Sequence, residues 1–521
     1  MINAVAGFLN KQKKEGYLDT LALLVSVAAF YLLLYLSLKD FIRIQYDFPF
    51  FIEKSLRLNF AQPKTFVDPF HPFGYTLLLG AFNSIFRSFI ISGKVLSALS
   101  ASLVLFFAYK TVAIASSKKV AFLTEISLLA NTAFITWALL ASSDMTCVSL
   151  MMISIFFLLQ KNPSISNLVF SGFFLGLGYL IRYSTIILVI PLVLYILFNK
   201  NRHAFAGALV FITALLLTIS PLLLSNFIAT GNPLYLPTIT INIWTGVYGQ
   251  SDSLVNYPPL TPIPNTAFQI FLKNPPIYIR HWIGQLIEFV KLDLIGSPLK
   301  YLFPLGVYLI VLREKNKKLA WLLIFSLFFI LSLAHAYINP RYALFSVPFI
   351  IATCCYSAYF IIQTLINKLP RHYTINVLAI LLLVYGFFIV KSVFSTAKNE
   401  LYNNPLSHAI KLVSDNLNKD GLRDNKEVVC FNGEFYNLAS PTLERFYLPN
   451  EILYMDKKNG VTELDNYLKT GGYRYIIYEE TVGVKRFPNL KVLLEPERLP
   501  KEYHLLLLID LPKVAVYKYG Q

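Results

Sequence analysis

The sequence predicts a polytopic α-helical membrane protein with about eleven transmembrane helices, followed by one C-terminal soluble α/β domain. Of the 521 residues, 56% are hydrophobic and only 14% are charged, whereas soluble domains carry about 25% charged residues. The mean hydropathy is +0.56. A soluble chain could not bury so much apolar surface, so lipid must be the solvent for most of it.

Eleven apolar runs are long enough to be spans, allowing for some short ones. The stretch 167–198 is too long for one helix, and Arg182 lies at its middle, so we divide it there. The first run is too long for the apolar part of a signal peptide, which predicts an uncleaved anchor. The predicted spans are 18–38, 93–113, 120–140, 145–160, 167–181, 184–198, 204–224, 299–312, 319–337, 343–366 and 374–394.

The net charge of +17 comes largely from Lys and Arg in short loops. With a cytoplasmic N-terminus every short inner loop is positive, as the positive-inside rule requires. The basic excess therefore indicates membrane topology, and we expect no nucleic-acid partner. The count requires that 71–89 lies along the membrane as an interfacial helix, which Arg87 and Lys94 near its end would suit. Two long outer loops follow, about 39–92 and 225–298, and the C-terminus is extracytoplasmic.

Two domains are expected: a transmembrane domain over 1–395 and an extracytoplasmic soluble α/β domain over 396–521. In the tail, charges and turns replace the long apolar runs. Residues 405–418 are typical of a surface helix, and the end of the second outer loop, 268–293, predicts one amphipathic helix. None of the four cysteines forms a C-x-x-C pair, so a zinc site is not expected. The predicted strands are 428–431, 473–480, 491–495, 503–511 and 514–519.

Acidic residues on the outer side are the first candidates for chemistry. Asp40, Asp47, Glu53 and Asp68 lie in the first outer loop, where most such charges are simply solvated. Asp144 lies at the start of a span, in WALLASSDMTCVSLMM, with no Lys or Arg near it in sequence. A charge at that depth is costly, which favours a functional role.

Two arginines break the positive-inside trend. Arg182 lies in GYLIRYSTIILVIP and Arg341 in YINPRYALFSVP, each at a short outer turn. They could be arginines that snorkel to the headgroups, or forks that bind a phosphate at the outer surface. His71 lies between Pro69 and Pro72 at the start of the interfacial segment, where a structural role is the alternative.

The ordered motifs resemble the GT-C glycosyltransferases of the protein-mannosyltransferase and aminoarabinose-transferase type, including bacterial RgtA/B/C/D-like proteins. The resemblance covers about 18–200, with NPRY at 339–342 as a weaker similarity. An acidic outer loop follows one span and precedes the other motifs. These are HPFGYTLLLGAFNSIF, GKVLSALSASLVLFFAYKTVA, KKVAFLTEISLLANTAFITWALLASSDM and GLGYLIRYSTIILVIP.

The resemblance implies transfer of a sugar from a polyprenyl-phosphate donor to a lipid, polysaccharide or protein acceptor on the outer face, with inversion. It implies that Asp47 activates the acceptor and that Asp144 is the second acidic residue of the catalytic site. His71, Arg182, Arg341 and Tyr342 are the expected substrate-binding residues. The chain departs from the family in three ways. Phe48 stands where the family often has Glu, and HPFGY stands where it often has HPPGY. Some members also have a lysine near this motif, for which Lys64 is the only substitute in this chain. No cofactor is certain, and a divalent metal stays open.

Two other classes of protein remain as alternatives. A transporter or lipid flippase would need ionisable groups deep in the membrane, and Glu125 is the candidate for one. A non-catalytic assembly factor would keep the fold without the chemistry, and it should tolerate substitution of both Asp47 and Asp144.

Overall fold

The structure is a computed structural model of the full chain. It describes residues 2–39, 47–59, 61–68, 71–161, 163–198, 204–235, 237–248, 264, 266–291, 299–336, 340–366, 386–387, 390–396, 398, 409, 412–413, 416–417, 419–421, 428–430, 460–480, 488–510 and 513–520.

The described part of the chain is mostly helical. The N-terminal helices are α1 (Ile2–Lys39), α2 (Phe48–Arg57), α3 (Gly74–Phe86), α4 (Phe89–Ala115), α5 (Lys118–Leu129), α6 (Thr132–Leu139), α7 (Ser143–Leu158) and α8 (Ile165–Ile181). A 3-10 segment, Tyr183–Leu188, leads into the next group. That group is α9 (Val189–Phe198), α10 (Ala204–Thr230), α11 (Pro237–Tyr248), α12 (Ala267–Lys273), α13 (Pro275–Lys291), α14 (Phe303–Tyr308), α15 (Lys317–Leu333), α16 (Pro340–Ala343) and α17 (Val347–Ile366).

Helices occupy the first ten predicted spans, whereas 374–394 lies largely outside the described residues. Four are long and apolar enough to cross a membrane: Gly16–Leu38, Phe89–Ala115, Ala204–Thr230 and Arg341–Thr364. The predicted span 120–140 is not one straight helix, because α5 and α6 meet at an angle of 62°. Asn131 causes the break, since its side chain accepts from Phe134 N at 2.9 Å and starts a new helix. The number of spans remains a prediction.

Two ionisable side chains are buried deep in the helical bundle. Glu125 accepts a hydrogen bond from Ser26 Oγ on α1 at 2.8 Å. Lys94 donates to the Ser37 carbonyl, also on α1, and is completely buried within α4. The expected place of Lys94 at the end of an interfacial helix is therefore wrong, because α3 ends at Phe86 and α4 already begins at Phe89. Each group is held by a bond to α1, which is consistent with a structural role.

The first outer loop folds back onto the bundle. The short helix expected over 71–89 is present as α3, although it starts at Gly74 rather than at His71. In α2, Ile52 is buried in the core while Leu56 is 46% exposed. The loop is thus anchored partly by packing against other helices, and its contact with the membrane interface remains a prediction.

The amphipathic segment 268–293 consists of two helices, which corrects the expectation of a single helix. α12 ends at Lys273, and α13 begins at Pro275. Pro275 and Pro276 lack an amide hydrogen and clash with a preceding helical turn, so they can start a helix but cannot continue one. The side chain of Asn274 accepts from Ile277 N at 3.3 Å and caps the second helix.

The C-terminal part contains a small four-stranded sheet. Its order is β1 (Val428–Cys430), β2 (Tyr475–Glu479), β4 (Lys513–Tyr519), β3 (Tyr503–Asp510). Only the β1–β2 pair is parallel. A helix, α18 (Gly460–Gly471), packs Leu464 and Leu468 into the same core as β2.

Four of the five predicted strands are confirmed, and the strand at 491–495 is wrong. Pro488–Leu494 is a 3-10 helix there, because Leu490, Leu493 and Leu494 face the core with helical rather than alternating spacing. The predicted helix at 405–418 lies mostly outside the described residues.

Candidate active site

Two carboxylates and two guanidinium groups meet at one end of the helical bundle. Asp47 immediately precedes α2, and Asp144 lies in the first turn of α7. Arg182 ends α8, and Arg341 lies in α16 just before α17. All four side chains are at most 15% exposed. The structure therefore brings together residues that are up to 294 positions apart, and we call these four the Asp–Arg cluster.

Asp144 lies at the centre of the Asp–Arg cluster and contacts both arginines. Nη2 of Arg182 lies 3.1 Å from the carboxylate, and Nε of Arg341 lies 3.1 Å from Asp144 Oδ2. Nε of Arg182 also donates to Ser143 Oγ at 3.0 Å. The arginines are therefore buried in ion pairs rather than extended toward headgroups, which argues against the snorkelling interpretation.

Asp47 joins the same network through one oxygen. Its Oδ2 accepts from Arg341 Nη2 and lies 3.7 Å from His71 Nε2 and 3.9 Å from Arg182 Nη2. Within the described residues, Oδ1 receives none of these contacts. Asp47 occupies the N-cap position of α2 but makes no side-chain cap bond. Helix capping thus does not explain the carboxylate.

Aromatic rings cover the arginines. The guanidinium carbon of Arg341 lies 5.1 Å from the Tyr342 ring centre and 5.9 Å from that of Trp137. The same ring of Tyr342 lies 5.8 Å from the guanidinium of Arg182. Such contacts are favourable for a partly desolvated cation, and they hold both arginines in place beside the carboxylates.

A second ion pair holds the turn that carries His71. Asp68 accepts from the His71 backbone N–H at 2.8 Å and pairs with Lys54 Nζ at 2.8 Å. Tyr183 donates to the Asp68 carbonyl at 3.0 Å. Lys64, considered as a replacement for the missing family lysine, is instead exposed on a short 3-10 helix. In the described part of the chain, the half-buried Lys54 is the lysine that pairs with this turn.

The charges of the Asp–Arg cluster sum to zero, yet each carboxylate outside the spans, Asp47 and Asp68, lies beside cations that lower its pKa. Burial alone would raise the pKa of Asp47, but Arg341, His71 and Arg182 hold it well below its ordinary value. Burial likewise opposes ionisation of Asp68, and Lys54 and His71 keep its pKa lowered. Opposite charges nearby outweigh desolvation in both cases, so both groups are carboxylates at neutral pH.

The fit of a divalent metal can be judged from the positions of these donors. Asp47, Asp144 and His71 are donor types that a metal accepts. The guanidinium of Arg341 nevertheless lies between the two carboxylates and bonds to both. No group of three His, Cys, Asp or Glu side chains among the described residues is placed to hold an ion. In this arrangement the side chains do not fit a metal.

All six expected site residues thus lie in this cluster or beside it: Asp47, His71, Asp144, Arg182, Arg341 and Tyr342. Sequence reasoning missed Ser143, Lys54 and Trp137. A usable signal exists only for Lys54, whose position two turns beyond Asp47 on a short helix places it near the site.

A glycine on α4 provides the space beside Asp47. A Cβ on Gly93 would lie 2.4 Å from the buried ring of Phe48, which adjoins Asp47. We expect Gly93→Ala to lower stability by about 1–3 kcal/mol, since overpacking forces a buried ring to move. Thermal unfolding in detergent measures this. Gly16→Ala on α1 is the control, because none of the described atoms lies within 4 Å of its added Cβ. Equal melting temperatures of the two variants would contradict the packing argument.

Residues 70–225 match the sequence profile of the family described as dolichyl-phosphate-mannose-protein mannosyltransferase. That stretch includes His71, Asp144 and Arg182 but neither Asp47 nor Arg341. No curated protein sequence matches the chain significantly.

Solved structures match over almost the whole chain. ArnT from Cupriavidus metallidurans, bound to undecaprenyl phosphate, superposes with a TM-score of 0.57 at 14% identity, covering 95% of this chain and 97% of that one. The Archaeoglobus fulgidus oligosaccharyltransferase, in complex with Zn and sulfate, gives 0.51 at 13% identity, covering 89% and 68%. At such low sequence identities, the superpositions show the fold alone. The chain therefore has the fold of the GT-C membrane glycosyltransferases, which confirms the resemblance that its sequence predicts.

Proposed function

We propose that this protein is a membrane glycosyltransferase that moves a sugar from a polyprenyl-phosphate donor to an acceptor hydroxyl, with inversion. The observation that carries the proposal is the buried Asp–Arg cluster, which lies at one end of a bundle with the GT-C fold. The likeness to ArnT, whose structure holds undecaprenyl phosphate, supports a donor of that class. The acceptor is a lipid, a polysaccharide or a protein.

Asp47 is the proposed general base. The acceptor oxygen attacks the anomeric carbon, its proton passes to Oδ1 of Asp47, and the bond from that carbon to the phosphate oxygen breaks. Oδ1 suits this step because the ion-pair partners contact Oδ2. Those partners also fix the carboxylate in its charged form. Attack opposite to the phosphate inverts the anomeric centre, and a positioned base lowers the barrier.

The two arginines are proposed to bind the donor phosphate and to stabilise it as it leaves. A guanidinium offers paired donors that match phosphate oxygens. Arg182 uses Nε for Ser143 and Nη2 for Asp144, and Nη1 makes no hydrogen bond to the described residues. Asp144 then orients both arginines and does not itself move a proton. No step of this mechanism uses a metal.

The orientation and the domains are part of the same proposal. The Asp–Arg cluster would face the extracytoplasmic side, with the N-terminus in the cytoplasm and the plasma or inner membrane as its location. Residues 1–395 would form the transmembrane catalytic domain, and 396–521 an extracytoplasmic soluble domain. The positive short inner loops support the cytoplasmic N-terminus of the transmembrane domain. The small sheet in the tail supports a separate C-terminal domain.

The arginine fork provides a test of donor binding. We expect Arg182→Lys and Arg341→Lys each to weaken binding of undecaprenyl phosphate about ten- to a hundredfold, since each loses a charge-assisted bond worth about 1.5–3 kcal/mol. Lysine keeps the charge but offers no planar pair of donors. Affinity for the lipid phosphate can be measured by titration of the purified protein in nanodiscs.

Arg87→Lys is the matched control, because Arg87 is exposed at the end of α3 and away from the Asp–Arg cluster. Its affinity should equal that of the unmodified protein. Unchanged affinity in both cluster variants would remove the arginines from donor binding and leave them as structural partners of the aspartates.

A further inference from the structure

Helix α13 (Pro275–Lys291) has two faces of opposite character. Ile279, Ile283, Ile287 and Val290 are spaced to lie on one face, and each is between 46% and 82% exposed. Four exposed apolar residues that share one helix face form a continuous patch, which is typical of an interaction surface. Arg280 is exposed and flanks the stripe on one side.

The opposite face of α13 is bonded to the turn that ends α15. Tyr278 OH lies 2.9 Å from His335 Nδ1, and His281 Nε2 lies 2.6 Å from the Ala336 carbonyl. Trp282 Nε1 donates to the Leu331 carbonyl at 3.0 Å, and its ring stacks on His335. We call residues 331–336 the α15 turn. Three side chains from successive turns of one helix thus hold it.

Helix α11 also contacts the α15 turn. A Cβ on Gly246 would lie 2.2 Å from the Ala336 carbonyl, so only glycine permits this approach. Arg341 follows Ala336 by five positions and contacts both aspartates of the Asp–Arg cluster. The position of the α15 turn therefore constrains where Arg341 can lie.

We propose that the apolar stripe of α13 binds the lipid–water interface, and that α13 thereby positions the α15 turn and Arg341 at the level of the donor phosphate. The second half rests on the proposed function. The occupant of the stripe is the bilayer that surrounds the helical bundle, with anionic headgroups beside Arg280. Trp282, Tyr278 and His281 are positioning residues, because they contact the α15 turn and not the Asp–Arg cluster.

Two features favour lipid over a protein partner. The stripe belongs to a helix bonded to the end of the apolar helix α15, at the end of the bundle that holds the Asp–Arg cluster. The stripe also has an exposed cation, Arg280, on its flank, and basic residues beside an apolar face are typical of helices that lie on anionic membranes. A bulky apolar face beside positive charge at the level of the membrane surface matches acyl chains below phosphate groups.

Lipid contact can be measured with a fluorophore on the stripe. Ile283→Cys is labelled in a Cys430→Ser background, which leaves Cys147, Cys354 and Cys355, all buried. In nanodiscs with one protein copy, made of phosphatidylglycerol and phosphatidylethanolamine, spin-labelled acyl chains should quench this fluorophore strongly. A label at Glu288, exposed on another face, should be quenched much less. Equal quenching at both sites, or shielding of Ile283 only when two copies share a disc, overturns the lipid assignment.

Coupling to Arg341 is tested by a double-mutant cycle on undecaprenyl phosphate affinity. Trp282→Phe removes one hydrogen bond to the α15 turn and should weaken binding about two- to tenfold. In the Arg341→Lys background the same change should have almost no further effect, since contacts that act through one group are not additive. Trp321→Phe, which alters a ring on the other end of α15, should leave affinity unchanged in both backgrounds.

The outcomes separate this inference from the proposed function. If Arg341→Lys leaves affinity unchanged, the phosphate-binding role of Arg341 fails. If Arg341→Lys weakens binding while Trp282→Phe has no effect, or an equal effect in both backgrounds, only the positioning by α13 is overturned. The non-additive result, together with selective quenching at Ile283, supports it.

Discussion

Replacing Asp47 with Asn is expected to leave the protein folded and inserted but to lower sugar transfer about a hundred- to ten-thousand-fold. The amide is nearly isosteric, and Arg341 keeps its bond to Asp144, so the buried guanidinium retains a partner. The amide cannot, however, take up the proton of the attacking hydroxyl, and no other carboxylate of the Asp–Arg cluster occupies that position. Transfer is measured in membranes that contain matched amounts of protein, with a polyprenyl-phosphate-linked sugar as donor.

Asp68→Asn is the comparison variant within the same outer loop. Asp68 pairs with Lys54 and holds the His71 turn, so its loss should disturb positioning and reduce transfer only mildly. A fully active Asp47→Asn would reject the catalytic role and favour the assembly-factor alternative. Helix capping gives no rival explanation for a large loss, since Asp47 makes no cap bond. Asp40→Asn is likewise expected to be milder than Asp47→Asn, although Asp40 lies outside the described residues.

The sequence predicted the members of the site better than their arrangement. Asp144 attracts attention because a lone carboxylate at the lip of a span is costly. Its partners could not be read from its neighbours, since Arg182 and Arg341 are 38 and 197 positions away. Arg182 and Arg341 stand out for the opposite reason, as cations on the side where the topology places few. The pairing of these outliers is a tertiary property, and only the fold reveals it.

The misassigned elements show which signals were too short. The stretch 491–495 is only five residues long and contains residues that favour strands. Its leucines pack against residues that are distant in sequence, so the sequence alone does not reveal their burial pattern. The sequence predicts Lys94 near the end of an interfacial helix, whereas that helix ends at Phe86 and Lys94 lies within α4. The long apolar runs predicted helices correctly, because about twenty consecutive apolar residues leave few alternatives to a helix. Asn131 still broke one run, as a cap can do inside an apolar segment.

Asp144→Asn is expected to have the largest effect on stability in this protein. Asp144 is 3% exposed, and both arginines pair with it. Removal of its charge leaves two buried guanidiniums with the single carboxylate of Asp47, and an uncompensated buried charge costs about 3–5 kcal/mol. The melting temperature in detergent should therefore fall strongly, and transfer should be lost because the arginines change position.

Asp19→Asn is the matched control for that loss. Asp19 also pairs with two cations, Lys110 and Lys118, but it is 32% exposed, and water can replace the lost partner. Its melting should change little. Adding Arg182→Gln to Asp144→Asn restores the charge balance, so we expect part of the stability to return while transfer stays low, because a donor to the phosphate is then missing. Recovery of both stability and transfer in the double variant would show that the cluster serves folding alone. An unchanged melting temperature of Asp144→Asn would contradict the buried-charge argument.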